Sequence, residues 1–332
     1  MAVTMDIFNP QVSVVAAGLA GKTIMVYGGN NLGKTYVTTH LSKPFVIACE
    51  SGLNALSGVR YNRANSWADV KKLVNQLTSK KTVDKARELY DTIIIDEVYA
   101  SSIFCQDYVC QIHGDGAMTL GDNNDPRKNL YQIYEKEYFR IVNQLLSCDY
   151  TVVFIGHAQE KDGYVSPKGD KRCLAPIIDN SDFVIYLSSN GVDDDGNVLL
   201  STAHFAETNS FFARSRFTEC VTEITPFTAE NLEKVVQDAV LAEAEKSGIQ
   251  AVTYEEQKAQ NTTVEYDFDE LMEEIQAIGE RFINSNKTEE LLEVTEGVLG
   301  KGKKVSELTK KQISALRIIY DELTDKADEL GI

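Results

Sequence analysis

Six cysteines scattered over 332 residues are too few and too widely spaced for a disulfide framework, so a reducing cytosol is the default setting for this chain. Positive charge is also short. Lys and Arg number 33 against 50 Asp and Glu, and the formal net charge is −17. That balance argues against a chain-wide electrostatic grip on nucleic acid, although a local basic groove remains compatible with it. No apolar run approaches the roughly 20 residues a membrane span needs. The opening Met1-Ala2-Val3-Thr4-Met5-Asp6 has no basic stretch followed by an apolar one and does not read as a secretory signal. Internal repeats and low-complexity tracts are missing too. What remains is 43% hydrophobic and 25% charged residues, ordinary proportions for a soluble globular protein that exclude a mostly disordered chain. The acid gathers toward the C-terminus: the last 86 residues hold 10 Lys/Arg against 19 Asp/Glu, which makes the tail the part least suited to touch phosphates.

Between about residues 22 and 246, short apolar segments alternate with amphipathic ones. Lys22–Tyr27, Pro44–Cys49, Thr92–Ile95, Thr151–Ile155 and Asp182–Leu187 are β-branched or aromatic and nearly continuous in apolarity, as strands buried on both faces of a parallel sheet are. Ser66-Trp67-Ala68-Asp69 reads as a helix start with a capping serine and an acid three residues on. Asp125-Pro126 reads as another, leading into a stripe of Tyr131, Tyr134, Tyr138, Ile141, Val142 and Leu145. This alternation predicts an α/β domain over residues 1–246. Val198–Thr202 and Ser210–Ala213 read as antiparallel additions, and Thr228 starts a helix to about Lys246. Residues 247–264 are polar and read as a linker. Residues 265–332 form a helical module with helices near 266–285, 287–299 and 306–330, the last stopped by Gly331.

The strongest chemical signal is Gly28-Gly29-Asn30-Asn31-Leu32-Gly33-Lys34-Thr35, followed by Tyr36. It matches G-x-x-x-x-G-K-[ST] between a strand and a helix, so backbone N–H groups would cradle the phosphates of ATP. Lys34 would reach the β/γ-phosphates and the Thr35 hydroxyl would hold Mg²⁺. Tyr90–Asp96 then places a carboxylate at the end of a buried strand, the edge where α/β sheets bind ligands, and Asp96 would share the Mg²⁺ site. Glu97 would either polarise water or cap the next helix. Cys105-x4-Cys110-x2-His113 has part of a zinc spacing but no second pair, and buried free cysteines are its ordinary reading.

Phe45–Leu53 is a second strand that ends in Glu50. A P-loop, a strand ending in glutamate and then an aspartate strand resemble the RecA-type core. The resemblance implies a RecA-like P-loop NTPase core, a mostly parallel sheet flanked by helices, with the small all-helical module appended. It also implies Glu50 as general base, with Glu97 the alternative. Thr151–Glu160 resembles the strand whose terminal polar residue senses the γ-phosphate, here His157, with Gln159 second. Arg214-Ser215-Arg216 resembles the basic pair that RecA-type rings and filaments insert into a neighbour's site. Ile47–Leu56, Tyr90–Glu97 and Val153–His157 are similar to phage and prophage RecA-like ATP-binding proteins linked to single-strand annealing and recombination. Those often have Asp-Ser where this chain has Asp96-Glu97.

That likeness implies an ATPase, stimulated by DNA or a partner, acting on single-stranded DNA as a homo-oligomeric ring or filament. The setting would be cytoplasmic (the bacterial host's cytoplasm for a phage-encoded chain), with no membrane partner. It places DNA loops near 97–125 and 159–175. The second offers Lys161, Lys168, Lys171 and Arg172 as phosphate contacts. The first offers Tyr99, Phe104 and Tyr108 for stacking, or as core aromatics. Glu265–Glu274 is either an acidic docking segment or an amphipathic helix start, and the module could receive a single-strand-binding or annealing protein. Two alternatives stay open: a protein-remodelling replication ATPase of the helicase-loader type, and a non-hydrolysing ATP-dependent assembly switch.

Overall fold

The computed structural model of the chain describes residues 8, 10, 12–122, 127–261 and 267–332. It divides into two units, Val12–Ala259 and one containing Gln260–Ile332.

In the first unit the order is β1 (Thr23–Gly28), α1 (Lys34–Thr38), β2 (Pro44–Ala48), β3 (Tyr61–Arg63), α2 (Trp67–Thr78), α3 (Val83–Leu89), β4 (Thr92–Asp96) and α4 (Val98–His113). Next come α5 (Leu130–Leu146), β5 (Thr151–Lys161), β6 (Tyr164–Pro167), α6 (Lys171–Asn180), β7 (Phe183–Ser188), β8 (Thr202–His204), β9 (Arg214–Ser215), β10 (Glu223–Ile224), α7 (Ala229–Ser247) and α8 (Tyr254–Asn261). The sheet order is β10-β8-β7-β1-β5-β4-β2-β3, with β6 on β5 and β9 on β7. β7, β1, β5, β4, β2 and β3 run parallel, and the remaining strands are antiparallel additions.

Strand alternation explains the layers. Met25, Tyr27, Phe45, Ile47, Ile93, Ile95, Val152 and Phe154 face one side and pack against α2, α4, α5 and α6. Ile24, Val26, Val46, Ala48, Ile94, Val153 and Ile155 face the other, against α1 and α7. Both faces are apolar, so each strand reads as a continuous hydrophobic run. Ser66 caps α2, its hydroxyl accepting the Asp69 N–H, and Thr228 caps α7 in the same way.

Several sequence expectations shift. Asp125-Pro126 lies outside the described residues; α5 begins at Leu130, with Asn129 accepting the Gln132 N–H. Tyr131 does not join the buried stripe: it is 42% exposed, with the Arg172 guanidinium over its ring at 4.7 Å. The expected strand Ser210–Ala213 gives way to the two-residue β9, and Val198–Thr202 to an isolated Val192–Val198 bridge followed by β8. Residues 247–264, read as a linker, contain α8. Its Tyr254 phenol donates to Asp149 at 2.7 Å, and the Gln257 amide donates to the Val14 carbonyl at 2.7 Å. The Tyr254 ring lies where any Cβ on Gly21 would sit, which is why that turn requires glycine.

The second unit holds α9 (Phe268–Asn284), α10 (Thr288–Leu299) and α11 (Ile313–Leu330). Asp267 caps α9, and Glu265-Tyr266 lie outside the described residues. Leu271, Ile275, Ile278 and Phe282 of α9 meet Leu316, Ile319, Leu323 and Ala327 of α11 in a cluster of their own. α11 starts later than its periodicity predicts, because Thr309 and Gln312 close a capping box ahead of Ile313. Gly331 ends it in the left-handed conformation, φ 67°. No helix among the described residues is long and apolar enough to cross a membrane.

Candidate functional site

The parallel register brings three strand ends together. Gly28 of β1 lies opposite His157 of β5, Asp96 of β4 opposite Ile155, and Ala48 of β2 opposite Asp96. β5 therefore separates the P-loop strand from the acid strand, and all these ends open on the C-terminal edge of the sheet. A cavity of about 380 Å³ lies there, lined by Asn30–Tyr36, Glu50, Gly52, Ala55, Leu56, Asp96, Ile155 and His157.

The P-loop is shaped by local backbone demands. Gly28 passes so close to β7 that a Cβ would lie 2.9 Å from the Leu187 carbonyl oxygen. Gly33 sits at φ 80°, a conformation glycine adopts without steric cost, and hands the chain into α1. Lys34 is buried, and its ammonium donates to the carbonyls of Gly28 (3.2 Å) and Gly29 (2.6 Å). Burial draws its pKa below the usual lysine range, and the carboxylates of Asp96, Glu50 and Glu97 oppose that. Sixty-one residues separate Thr35 from Asp96, yet the Thr35 hydroxyl donates to the Asp96 carboxylate at 2.9 Å. Hydroxyl and carboxylate together form a hard-oxygen pair of the kind Mg²⁺ takes.

Asp96 is buried, and burial raises its carboxyl above the ordinary range, opposed by the Thr35 hydrogen bond. The next residue goes deeper: Glu97 is 1% exposed and caps α4, accepting the N–H groups of Tyr99 (3.0 Å) and Ala100 (2.8 Å). Burial pushes its carboxyl up to about 7 against those two donors, with the Glu50 carboxylate adding to the rise. Glu50 is more open, and the His157 Nε2 lies 3.4 Å from its carboxylate. Glu50, Glu97 and His157 each present a polar atom within 4.8 Å of the others. The β2 end that delivers Glu50 is fixed by the Cys49 N–H donating to the Asp96 carbonyl at 2.5 Å.

One contact escaped the sequence reading. The Ser201 hydroxyl donates to the Leu32 carbonyl at 3.0 Å, tying the chain ahead of β8 to the P-loop. With the two 169 positions apart, no local pattern announces it. A second cavity, about 410 Å³, lies at the other end of the strands beside Arg87, Asp149 and Tyr254. There Asp149 accepts from Arg87, Tyr254 and Lys258, so its charge is already matched.

The remaining sequence candidates lie elsewhere. Arg214, paired with Val184 in β9, and Arg216 just beyond it lie at the start of β7 and so at the opposite end of the sheet from the P-loop. Arg214 donates to the carbonyls of Ile178 (2.5 Å) and Ser181 (3.1 Å), where α6 ends. Arg216 donates to the Asp179 carbonyl and lies 4.0 Å from Asp182. Neither is brought to the cavity: they satisfy carbonyls that a helix C-terminus leaves open.

Lys161 ends β5 at an exposed hairpin turn, and Lys171 begins α6 in solvent. Lys168 lies 4.3 Å over the Tyr99 ring, and its N–H donates to the His157 carbonyl at 2.8 Å. Arg172 pairs with Asp170 at 3.6 Å and covers Tyr131. Phe104 and Tyr108 pack against the core, with Lys71 3.7 Å over the Tyr108 ring, so the core reading holds for both. Cys105 and Cys110 are buried free thiols, and among the described residues they join no metal-binding group.

Residues 20–217 match the family described as AAA domain. The SPbeta prophage-derived uncharacterized protein YorG of Bacillus subtilis (strain 168) is 50% identical over 322 residues, covering 97% of this chain and 98% of that protein. The chain belongs to the AAA-domain family of P-loop ATPases.

Proposed function

We propose that this AAA-domain protein hydrolyses ATP with Mg²⁺ and couples turnover to single-stranded DNA in phage recombination or annealing. The observation that carries the catalytic half is the 2.9 Å Thr35–Asp96 hydrogen bond beside Lys34, with Glu50 and His157 lining the same cavity. In this reading the P-loop N–H groups bind the phosphates and Lys34 neutralises their charge. Thr35 and Asp96 would hold Mg²⁺, which supplies further charge neutralisation when bound. Glu50 takes the proton of the attacking water, since its carboxylate is open to the cavity. Glu97 spends both oxygens on α4 and acts as a positioning residue. His157 reports γ-phosphate occupancy to the β5–β6 hairpin through the strand it shares and through the Lys168 N–H on its carbonyl.

Two observations support the DNA half. The likeness to a prophage-derived protein supports a phage setting, and with it the bacterial cytoplasm. Lys161 and Lys171 supply free charge near the hairpin; Lys168 and Arg172 would have to exchange aromatic contacts for phosphates. Assembly into a ring or filament belongs to the same reading. The net charge of −17 favours a second one, in which a protein partner rather than DNA stimulates turnover.

Steady-state ATP turnover with and without single-stranded DNA, at two salt concentrations, tests the proposal. Stimulation that fades as salt rises supports it. Turnover indifferent to DNA overturns the DNA half and moves the function to protein remodelling. K34A should abolish turnover, and retained hydrolysis would overturn the site itself. E50Q should lower turnover more than E97Q; the reverse order would exchange their roles.

A further inference from the structure

In the acidic C-terminal unit, one short stretch has the opposite sign. Of the nine Lys and Arg after residue 260, five fall within residues 301–311, as Lys301, Lys303, Lys304, Lys310 and Lys311, with Glu307 the sole acid among them. All five lysines are exposed. Lys310 pairs with Asp269 at 2.7 Å, while Lys301, Lys303, Lys304 and Lys311 have no ion-pair partner among the described residues.

The stretch is held in shape rather than trailing in solvent. Gly300 and Gly302 take φ of 89° and 78°, and the Gly302 N–H donates to the Glu296 carboxylate at 3.0 Å. Val305, Leu308 and Ile313 pack on the unit's apolar cluster, and two short 3₁₀ turns, Val305–Glu307 and Lys310–Gln312, hold the chain between them. The lysines therefore stand on an anchored ridge, and binding has less chain to order.

We infer that this ridge is a second nucleic-acid contact, gripping the phosphate backbone independently of the loops near the nucleotide cavity. The composition selects the partner. Protein interfaces are depleted in lysine and anchored by aromatic or arginine side chains, and the ridge exposes neither. Lysines act as point charges on phosphates without reading bases, so binding is sequence-tolerant and salt-dependent.

The test uses the full chain and a fluorescein-labelled 30-nucleotide dT strand, with anisotropy followed over a salt series. K301A/K303A/K304A should weaken binding and reduce the magnitude of the log–log salt slope by about 2, the loss of three single-strand phosphate contacts. A mixed-sequence strand should show the same change. Turnover without DNA should stay at the wild-type level, which reports intact folding of the ATPase. An unchanged slope overturns the inference, as does a wild-type chain that does not bind the strand. K161A/K171A, measured alongside, separates the two surfaces. Loss confined to that pair overturns the ridge and leaves the core-loop reading standing; loss confined to the triple variant does the reverse.

Discussion

Phe282→Ala would examine whether the two units stand alone. Phe282 is fully buried among Leu271, Ile275, Ile278, Leu316, Ile319 and Leu323, all within the C-terminal unit. Emptying such a site costs about 3–5 kcal/mol in transfer and cavity terms. The 73 residues from Gln260 to Ile332 would hold about 4–11 kcal/mol in total at ordinary stability per residue. The substitution therefore removes about a quarter or more of that reserve and lowers the unit's melting temperature by at least ~12 °C. The chain's single tryptophan makes the assay selective. Trp67 is 2% exposed in the first unit, stacked on Tyr138 at 5.5 Å and donating to Glu137 at 3.0 Å. Its emission follows that unit, whereas circular dichroism at 222 nm follows helices in both. In F282A the dichroism should gain an early transition while the Trp67 transition stays in place. A Trp67 transition that falls together with the dichroism would refute the reasoning, and so would a variant that melts like wild type.

Three further outcomes follow from the placement of charge. R214A leaves the Ile178 and Ser181 carbonyls without their donor and should cost about 1–3 kcal/mol by denaturant unfolding, with turnover per folded molecule kept. R216A should also keep turnover; a loss that returns on mixing with K34A protein would refute the structural assignment and restore the arginine to a neighbour's site. In EDTA-treated protein, Glu97 titrates near 7 when folded against about 4.5 when unfolded. Its protonated form favours the folded state fully below about 4.5, and that contribution is lost as pH rises through about 7. Wild type should therefore lose stability relative to E97Q across that window, and parallel denaturation profiles would refute the raised carboxyl.

The sequence made the central strands legible because burial on both faces writes itself as unbroken apolarity. β1, β2, β4, β5 and β7 all announce themselves in that way. β3 does not: Tyr61, Asn62 and Arg63 are all exposed on the sheet's edge, where pairing imposes no hydrophobic pattern. The P-loop and its two acids are likewise local, each at the end of a strand. What stayed hidden is joined across distance. Arg214 meets carbonyls 36 and 33 residues earlier, and a basic-x-basic pattern looks the same whether it closes a helix or faces a neighbour. Tyr131 has helical spacing with the buried stripe but points to Arg172, because the stripe is wider than the face that α4 and α6 cover. α8 was masked by polar composition, since three side chains, Tyr254, Gln257 and Lys258, rather than an apolar face fasten it.

β5 spans eleven residues, and it crosses from one environment into another without interruption. Residues 152–157 lie beside β1, and Ala158–Lys161 run on to pair with β6. At about 3.3 Å per residue, that second stretch carries the backbone roughly 13 Å past His157. Under the role proposed for His157, a strand that resists stretching along its axis would act as a push-rod, carrying an axial shift at the phosphate end to the hairpin nearly undiminished. That message would travel along the backbone and not through a relay of packed side chains. Repacking the neighbours would leave it intact, whereas Gln159→Pro, which removes the N–H of a residue paired with Ser166 and fixes its φ, would bend the strand and loosen the hairpin from it.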